Sequence, residues 1–184
     1  MEKETKLYTL IIFSENRAGV LNQVTNVFTR RQVNIESLNA SPSGIDGVHR
    51  YTITCRADED AIRTLTLQIE KKIDVIRADY FEKNEIYVME QALYKVATPA
   101  LLADKEISKA IRLMGGRIVE VNPAYSIVSK EGLPEEVRGL YDRLQAKGCV
   151  LQYVSSGVIA VTKSRREELA EYLQQRDEAC RTEQ

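Results

Sequence analysis

Phe13-Ser14-Glu15-Asn16-Arg17-Ala18-Gly19-Val20-Leu21 is the stretch from which the rest of this chain can be placed. Just upstream, Leu10-Ile11-Ile12-Phe13 is an apolar run of strand length. Downstream, apolar residues recur at Val20, Leu21, Val24, Val27 and Phe28, the spacing of one helix face. The reading is strand, loop, helix. Such a loop delivers Asn16 and the backbone N–H groups around Gly19 to the first turn of the helix, where unpaired donors and the positive end of the dipole favour a carboxylate or another anion. Asn and Gly at a strand-to-helix turn also serve simply to cap the helix, so the turn alone marks a helix start and a candidate anion seat.

A second segment gives that seat a context. Val33-Asn34-Ile35-Glu36-Ser37-Leu38 opens a new strand with an asparagine of buried type at its head. Taken together, Glu15-Asn16-x-x-Gly19-Val20-Leu21 and Asn34-Ile35-Glu36-Ser37-Leu38 resemble the ACT domain, a small βαββαβ effector-binding module. They resemble more closely the small regulatory subunit of acetohydroxyacid (acetolactate) synthase. The pair at this separation carries the resemblance, which runs from about Leu7 to Ser164, is closest through Leu38 and becomes mainly architectural after Val121. One departure is local: where this family usually has a glycine before the second strand, the chain reads Arg30-Arg31-Gln32-Val33. A positive φ at Gln32 would cost about 1 kcal/mol.

The rest of the first half follows the same grammar. The strand from Val33 reaches Pro42-Ser43-Gly44, and Gly44, Asp46 and Gly47 mark a turn. Val48-His49-Arg50-Tyr51-Thr52-Ile53-Thr54-Cys55 is rich in β-branched and aromatic residues and makes a hairpin with the strand before it. Asp58-Glu59-Asp60 caps a helix with Ile62, Leu65 and Ile69 on one face, ending at Lys71-Lys72. Ile73-Asp74-Val75-Ile76-Arg77-Ala78-Asp79 supplies a fourth strand. The order is βαββαβ, an antiparallel sheet with both helices on one face.

The polar stretch Glu82-Lys83-Asn84-Glu85 reads as a linker, and the order then repeats. A strand from Ile86 to Val96 leads through Thr98-Pro99 to a helix bearing Ile107, Ala110, Ile111 and Met114, stopped by Gly115-Gly116. Arg117–Val121, the Asn122-Pro123 turn and Ala124–Ser129 form a second hairpin. Pro134 opens a helix with Val137, Leu140, Tyr141 and Leu144, Gly148 ends it, and Cys149–Val154 is a strand. A short strand, Val158–Val161, precedes Ser164-x-x-Glu167, a capping-box pattern for a helix through Leu169, Tyr172 and Leu173. The repetition is one of pattern: nothing near Thr98-Pro99 matches the Asn16/Gly19 loop.

The fold class read from this order is α+β, with tandem ferredoxin-like βαββαβ domains built on antiparallel sheets. Residues 7–81 form the ACT effector-binding domain, 82–85 the linker, 86–164 a C-terminal ferredoxin-like domain, and 165–184 a helical extension and tail.

Composition narrows function by exclusion. With 26 basic and 27 acidic side chains in 184 residues, the chain carries no charge excess that would suit nucleic acid or a membrane surface. No apolar run approaches the roughly 20 residues that span a bilayer. Met1-Glu2-Lys3-Glu4 is unlike a signal peptide, so a cytoplasmic protein is expected. Cys55, Cys149, Cys180 and the single histidine, His49, have no metal-ligand spacing. Cys55 and Cys149 sit in apolar runs and read as small buried residues, whereas Cys180 lies in a polar tail. No phosphate-cradling glycine loop or nucleophile elbow is present. Catalytic and metal-ligating residues are therefore expected to be absent, and carboxylate pairs such as Glu135-Glu136 and Glu167-Glu168 read as helix-start charges.

The candidate effector site is Asn16, Arg17, Ala18, Gly19, Val20, Leu21, Asn34 and Ile35. Backbone amides near Arg17, Ala18 and Gly19 suit the carboxylate of a small amino acid, and the Asn16 amide suits its carboxylate or ammonium. Gly19 leaves the backbone open to approach. Val20, Leu21 and Ile35 would line a small apolar slot that fits a branched aliphatic side chain. A slot of this kind separates molecules differing by one methylene by only about 1–3 kcal/mol.

The resemblance implies valine as effector, with leucine or isoleucine left open, and a homodimer in which Asn34 and Ile35 come from the partner chain. It also implies a catalytic large subunit as partner, holding the thiamine diphosphate, magnesium and flavin (FAD), with no cofactor in this chain. The function it implies is a non-catalytic subunit that activates the large subunit and confers valine feedback inhibition in branched-chain amino-acid biosynthesis. The alternative is an amino-acid-responsive ACT-domain transcription regulator or stand-alone sensor; the former needs a clustered basic face, which neither terminal segment offers.

Overall fold

The structure, a computed structural model, describes residues 5–164 together with Leu169, Leu173 and Gln174. Within residues 5–164, fourteen elements follow one another: β1 (Lys6–Glu15), α1 (Val20–Arg31), β2 (Ile35–Pro42), β3 (Val48–Ala57), α2 (Glu59–Glu70), β4 (Val75–Phe81), β5 (Ile86–Ala97), α3 (Thr98–Ala103), α4 (Lys105–Leu113), β6 (Arg117–Val121), β7 (Tyr125–Gly132), α5 (Pro134–Ala146), β8 (Val150–Ser155) and β9 (Ile159–Thr162). They make two compact units, one holding β1, β3, β4, α1 and α2 with most of β2, the other centred on β5–β8 and α3–α5.

In the first unit the strand order is β2-β3-β1-β4. β1 runs antiparallel to β3 from Lys6↔Ala57 to Glu15↔Val48, and antiparallel to β4 from Thr9↔Phe81. Two-residue alternation decides which side chains face the helices. Tyr8, Leu10 and Ile12 lie opposite Cys55, Ile53 and Tyr51, and all six are buried. Against them α1 buries Val20, Val24, Val27 and Phe28, and α2 buries Ile62, Leu65, Thr66 and Ile69. Burying a side chain of this size is worth about 1.5–3 kcal/mol, so the two apolar stripes hold the helices on one face.

Helix ends follow local chemistry. The Asp58 carboxylate accepts the Ala61 N–H at 2.8 Å and caps α2 as expected. At the end of α1, Gln32 adopts φ 52° and ψ 34°, its N–H donating to Thr29 O and the N–H of Val33 to Phe28 O. This is a left-handed cap of the type glycine usually fills. Among the described residues Gln32 is the only non-glycine with positive φ.

The expected fourth strand needs a correction at its start. β4 begins at Val75, not Ile73: the Val75 N–H closes a turn onto Lys72 O, Ile73 is 95% exposed, and the Asp74 side chain is engaged in ion pairing.

In the second unit the order is β6-β7-β5-β8, with β9 also paired to β5. Tyr94, Val96, Val128, Ile107, Ile111, Val137, Leu140 and Leu144 form its core, and the Tyr94 hydroxyl donates to Val137 O at 2.7 Å. The single helix expected after Thr98-Pro99 is two, α3 and α4. Asp104 is extended between them (φ −115°, ψ 102°), and its carboxylate caps α4 by accepting the Glu106 N–H. Lys147 donates to that same carboxylate at 2.9 Å, and this bond, with the Glu106 N–H, lowers the Asp104 pKa below its ordinary value. Gly115 (φ 74°) and Gly148 (φ 63°) follow α4 and α5 as their positions after the last apolar residues predict.

Of the helix expected after Ser164, Leu169, Leu173 and Gln174 are helical. Glu167, Glu168, Tyr172 and the tail from residue 175, with Cys180, lie outside the described residues.

Candidate functional site

The loop between β1 and α1 is held from three sides. The Asn16 N–H donates to Gly47 O in the β2–β3 turn at 2.9 Å, the Glu15 N–H donates to Asp74 O at 2.9 Å, and the Arg17 N–H turns back onto Glu15 O at 2.9 Å. Gly19 then takes φ 89°, a left-handed conformation that L side chains adopt at a cost of about 1–2 kcal/mol. No side chain caps α1. Val20 N–H reaches Arg17 O at 3.5 Å and Gln23 N–H reaches Gly19 O at 3.1 Å. The N–H groups of Ala18, Gly19, Leu21 and Asn22 find no acceptor among the described residues. These are the orphan donors of a helix start, and the dipole adds positive potential at that end. α1 carries Arg30 and Arg31 in its last turn, the charge sign that complements its other end.

Each candidate residue occupies a definite place. Asn16, Arg17, Ala18 and Gly19 are exposed on the loop, and the Arg17 backbone N–H is already spent on Glu15. The amides open to a ligand therefore begin at Ala18 and extend into the helix, to Leu21 and Asn22. Val20 is fully buried and belongs to the core beneath the loop, whereas Leu21 is half-buried. Asn34, read as an asparagine of buried type, is exposed just ahead of β2; Ile35, the first residue of that strand, is half-buried. The two asparagines flank opposite ends of the 12-residue α1, a separation of about 18 Å along the axis. A single chain brings Asn16, Gly19 and Leu21 together and leaves Asn34 and Ile35 at the far end.

The Arg17 side chain is engaged by two carboxylates. Its Nε lies 2.9 Å from Glu15 Oε2 and its Nη1 3.4 Å from Asp74 Oδ1, and Gln23 Nε2 donates to Asp74 Oδ2 at 3.3 Å. Sequence reasoning placed Asp74 in a strand and missed this contact. The only signal available to it was an acidic residue amid an otherwise apolar run.

Burial pushes the Cys55 thiol up from 9.0 to about 11, with Glu36 adding to the effect, and Cys149 is raised by burial as well. Both are free and buried. Among the described residues no group of three or more His, Cys, Asp or Glu side chains is placed to hold a metal ion, and no helix is long and apolar enough to cross a membrane.

The loop geometry joins a family-level match. Residues 10–77 match the family model described as the AHAS small subunit-like ACT domain, and residues 89–164 match that of the small subunit of acetolactate synthase. A probable acetolactate synthase small subunit from Methanothermobacter thermautotrophicus is 30% identical over 90% of this chain and 97% of its own length. The chain belongs to the acetolactate synthase small-subunit family. Within that family, the Bacillus subtilis acetolactate synthase small subunit is 32% identical over 72% of this chain and 77% of its own. The crystal structure of the Thermotoga maritima small subunit aligns with a TM-score of 0.79 at 23% identity, covering 88% of this chain and 99% of that one. That likeness is one of fold.

Proposed function

We propose that this chain is the regulatory subunit of an acetolactate synthase, binding the catalytic large subunit, raising its activity and transmitting feedback inhibition by valine. Residues 7–81 act as the effector-binding domain, 82–85 as the linker and 86–164 as the second, C-terminal domain. In this reading the thiamine diphosphate, magnesium and flavin belong to the large subunit, and this chain acts in the cytoplasm without catalytic groups of its own.

The observation that carries the reading is the uncapped start of α1, whose free N–H groups at Ala18, Gly19, Leu21 and Asn22 make a carboxylate seat beside the exposed Asn16 amide. β2 supplies the second half. It is the edge of its sheet, and an edge strand invites pairing with another copy. β2 runs from the Asn34 end of α1 toward the turn that holds Asn16. Antiparallel pairing of two β2 strands about a two-fold axis therefore carries the partner's Asn34 and Ile35 toward the Asn16 loop. The amino acid is then enclosed by one chain's loop and the other's strand start, and its occupancy biases dimer geometry with a coupling typically of about 1–3 kcal/mol.

The test is to purify the chain with its large subunit and measure acetolactate formation with and without valine. Stimulation by the chain and its reversal by valine are expected. A large subunit whose activity ignores the chain overturns the reading.

A further inference from the structure

We propose that Asp74 is the positioning residue of the effector loop: it holds Arg17 and Gln23 so that the amides at the head of α1 converge on one point. This rests on the reading of that loop as the effector seat. Asp74 lies in the turn between α2 and β4, far from the loop in sequence, and contributes all three of its acceptor oxygens to it. The main-chain carbonyl receives the Glu15 N–H at 2.9 Å, Oδ1 faces Arg17 Nη1 at 3.4 Å, and Oδ2 receives Gln23 Nε2 at 3.3 Å. One residue thus grips the end of β1, the middle of the loop and the first turn of α1.

The turn that carries Asp74 is itself fixed to α2. Lys71 N–H donates to Leu67 O, Lys72 N–H to Ile69 O, and Val75 N–H to Lys72 O. The Asp74 side chain is only 18% exposed, against 66% for Arg17, so the carboxylate is the sheltered member of the pair and the guanidinium the one that would otherwise move.

An acid beside an anion seat has to be offset in charge. A bare carboxylate near the head of α1 would repel a ligand carboxylate. Arg17 lies between Asp74 and Glu15 and offsets one of their two negative charges, so the cluster turns one net negative charge, not two, toward the loop. The guanidinium is consumed in this work, so Arg17 shapes the seat instead of touching the ligand. Asp74 and Arg17 are positioning residues, and the backbone amides do the binding.

The experiment uses the full chain with its large subunit. Asp74→Ala, Arg17→Ala and the double variant are compared for valine-dependent inhibition, activation without valine and melting temperature. Hydrogen exchange of the backbone amides from Phe13 to Gln23 is measured with no effector present. The valine concentration for half inhibition is expected to rise about tenfold, the loss of one charge-assisted hydrogen bond, in either single variant and by no more in the double variant. Activation without valine holds, and exchange quickens in the loop alone; Asp74→Asn, which keeps an acceptor without the charge, falls between. Wild-type loop exchange and valine response in Asp74→Ala overturn the proposal, as does exchange that rises across the whole first unit with activation falling in step. Because exchange is read without effector, a wild-type complex that ignores valine sinks the effector reading while the exchange arm still decides whether Asp74 holds the loop.

Discussion

The Asn16 N–H donates to Gly47 O at 2.9 Å, tying the loop at the head of α1 to the β2–β3 turn. That bond places the Asn16 side chain at the end of the sheet where β2 finishes, opposite the end where Asn34 stands. In the proposed dimer, it is the reason that Asn16 and Asn34 meet only across two copies of the chain.

Heterodimers test this division of labour. Asn16→Ala and Asn34→Ala should each abolish most of the valine response in homodimers. Mixed together, they form heterodimers with one seat carrying both lesions and one carrying neither. Calorimetric titration of the mixed sample should recover valine binding at about half a site per heterodimer chain. Recovery absent from the mixture would mean that both asparagines act within one chain.

Gly19→Asp acts through backbone and charge, because nothing lies within 4 Å of a Cβ built at Gly19. At φ 89° the side chain should cost about 1–2 kcal/mol, lowering the melting temperature by several degrees. Its carboxylate enters the seat and repels the effector. The complex should be activated as before and lose valine inhibition; unchanged inhibition would place the effector elsewhere.

Gln32→Gly relieves a strained cap. The left-handed conformation at φ 52° costs glutamine about 1–2 kcal/mol, and the extra freedom of glycine in the unfolded chain takes back part of that gain. A net stabilisation of about 0.5–1 kcal/mol is expected in urea unfolding, with valine response unchanged. Destabilisation would mean that the Gln32 side chain makes a contribution larger than its strain.

The Cys55 thiol gives stability a definite pH dependence. Its folded pKa of about 11 lies above the ordinary 9.0 because burial disfavours the thiolate. The folded chain therefore holds this proton more tightly than the unfolded one. The associated stability is fully present below pH 9 and is lost as pH rises through 9 toward 11. The stability difference between wild type and Cys55→Ala should shrink over that interval in urea titrations. A constant difference would show that the thiol is not held protonated. At neutral pH, alkylating reagents should reach Cys55 and Cys149 only after unfolding.

What the sequence determined by itself is local. Apolar periodicity marked α1 through Val20, Val24, Val27 and Phe28, the Asp58 cap marked the start of α2, and Gly115 and Gly148 marked two helix ends. These features depend on neighbours within a turn or two, so the two βαββαβ halves and their family membership could be read from order and motif. Tertiary structure alone decided the rest. Asp104 splits one apparent helix because its carboxylate has Lys147 as well as the Glu106 N–H to satisfy. Gln32 accepts a left-handed conformation because the buried face of α1 fixes the helix on one side of it and pairing with β3 fixes β2 on the other. Asp74 leaves its apparent strand to grip Arg17 and Gln23, a contact created only when β4 pairs with β1. Hydrophobic spacing is a property of the local chain, whereas an ion pair between distant segments exists only once strand order has brought them together.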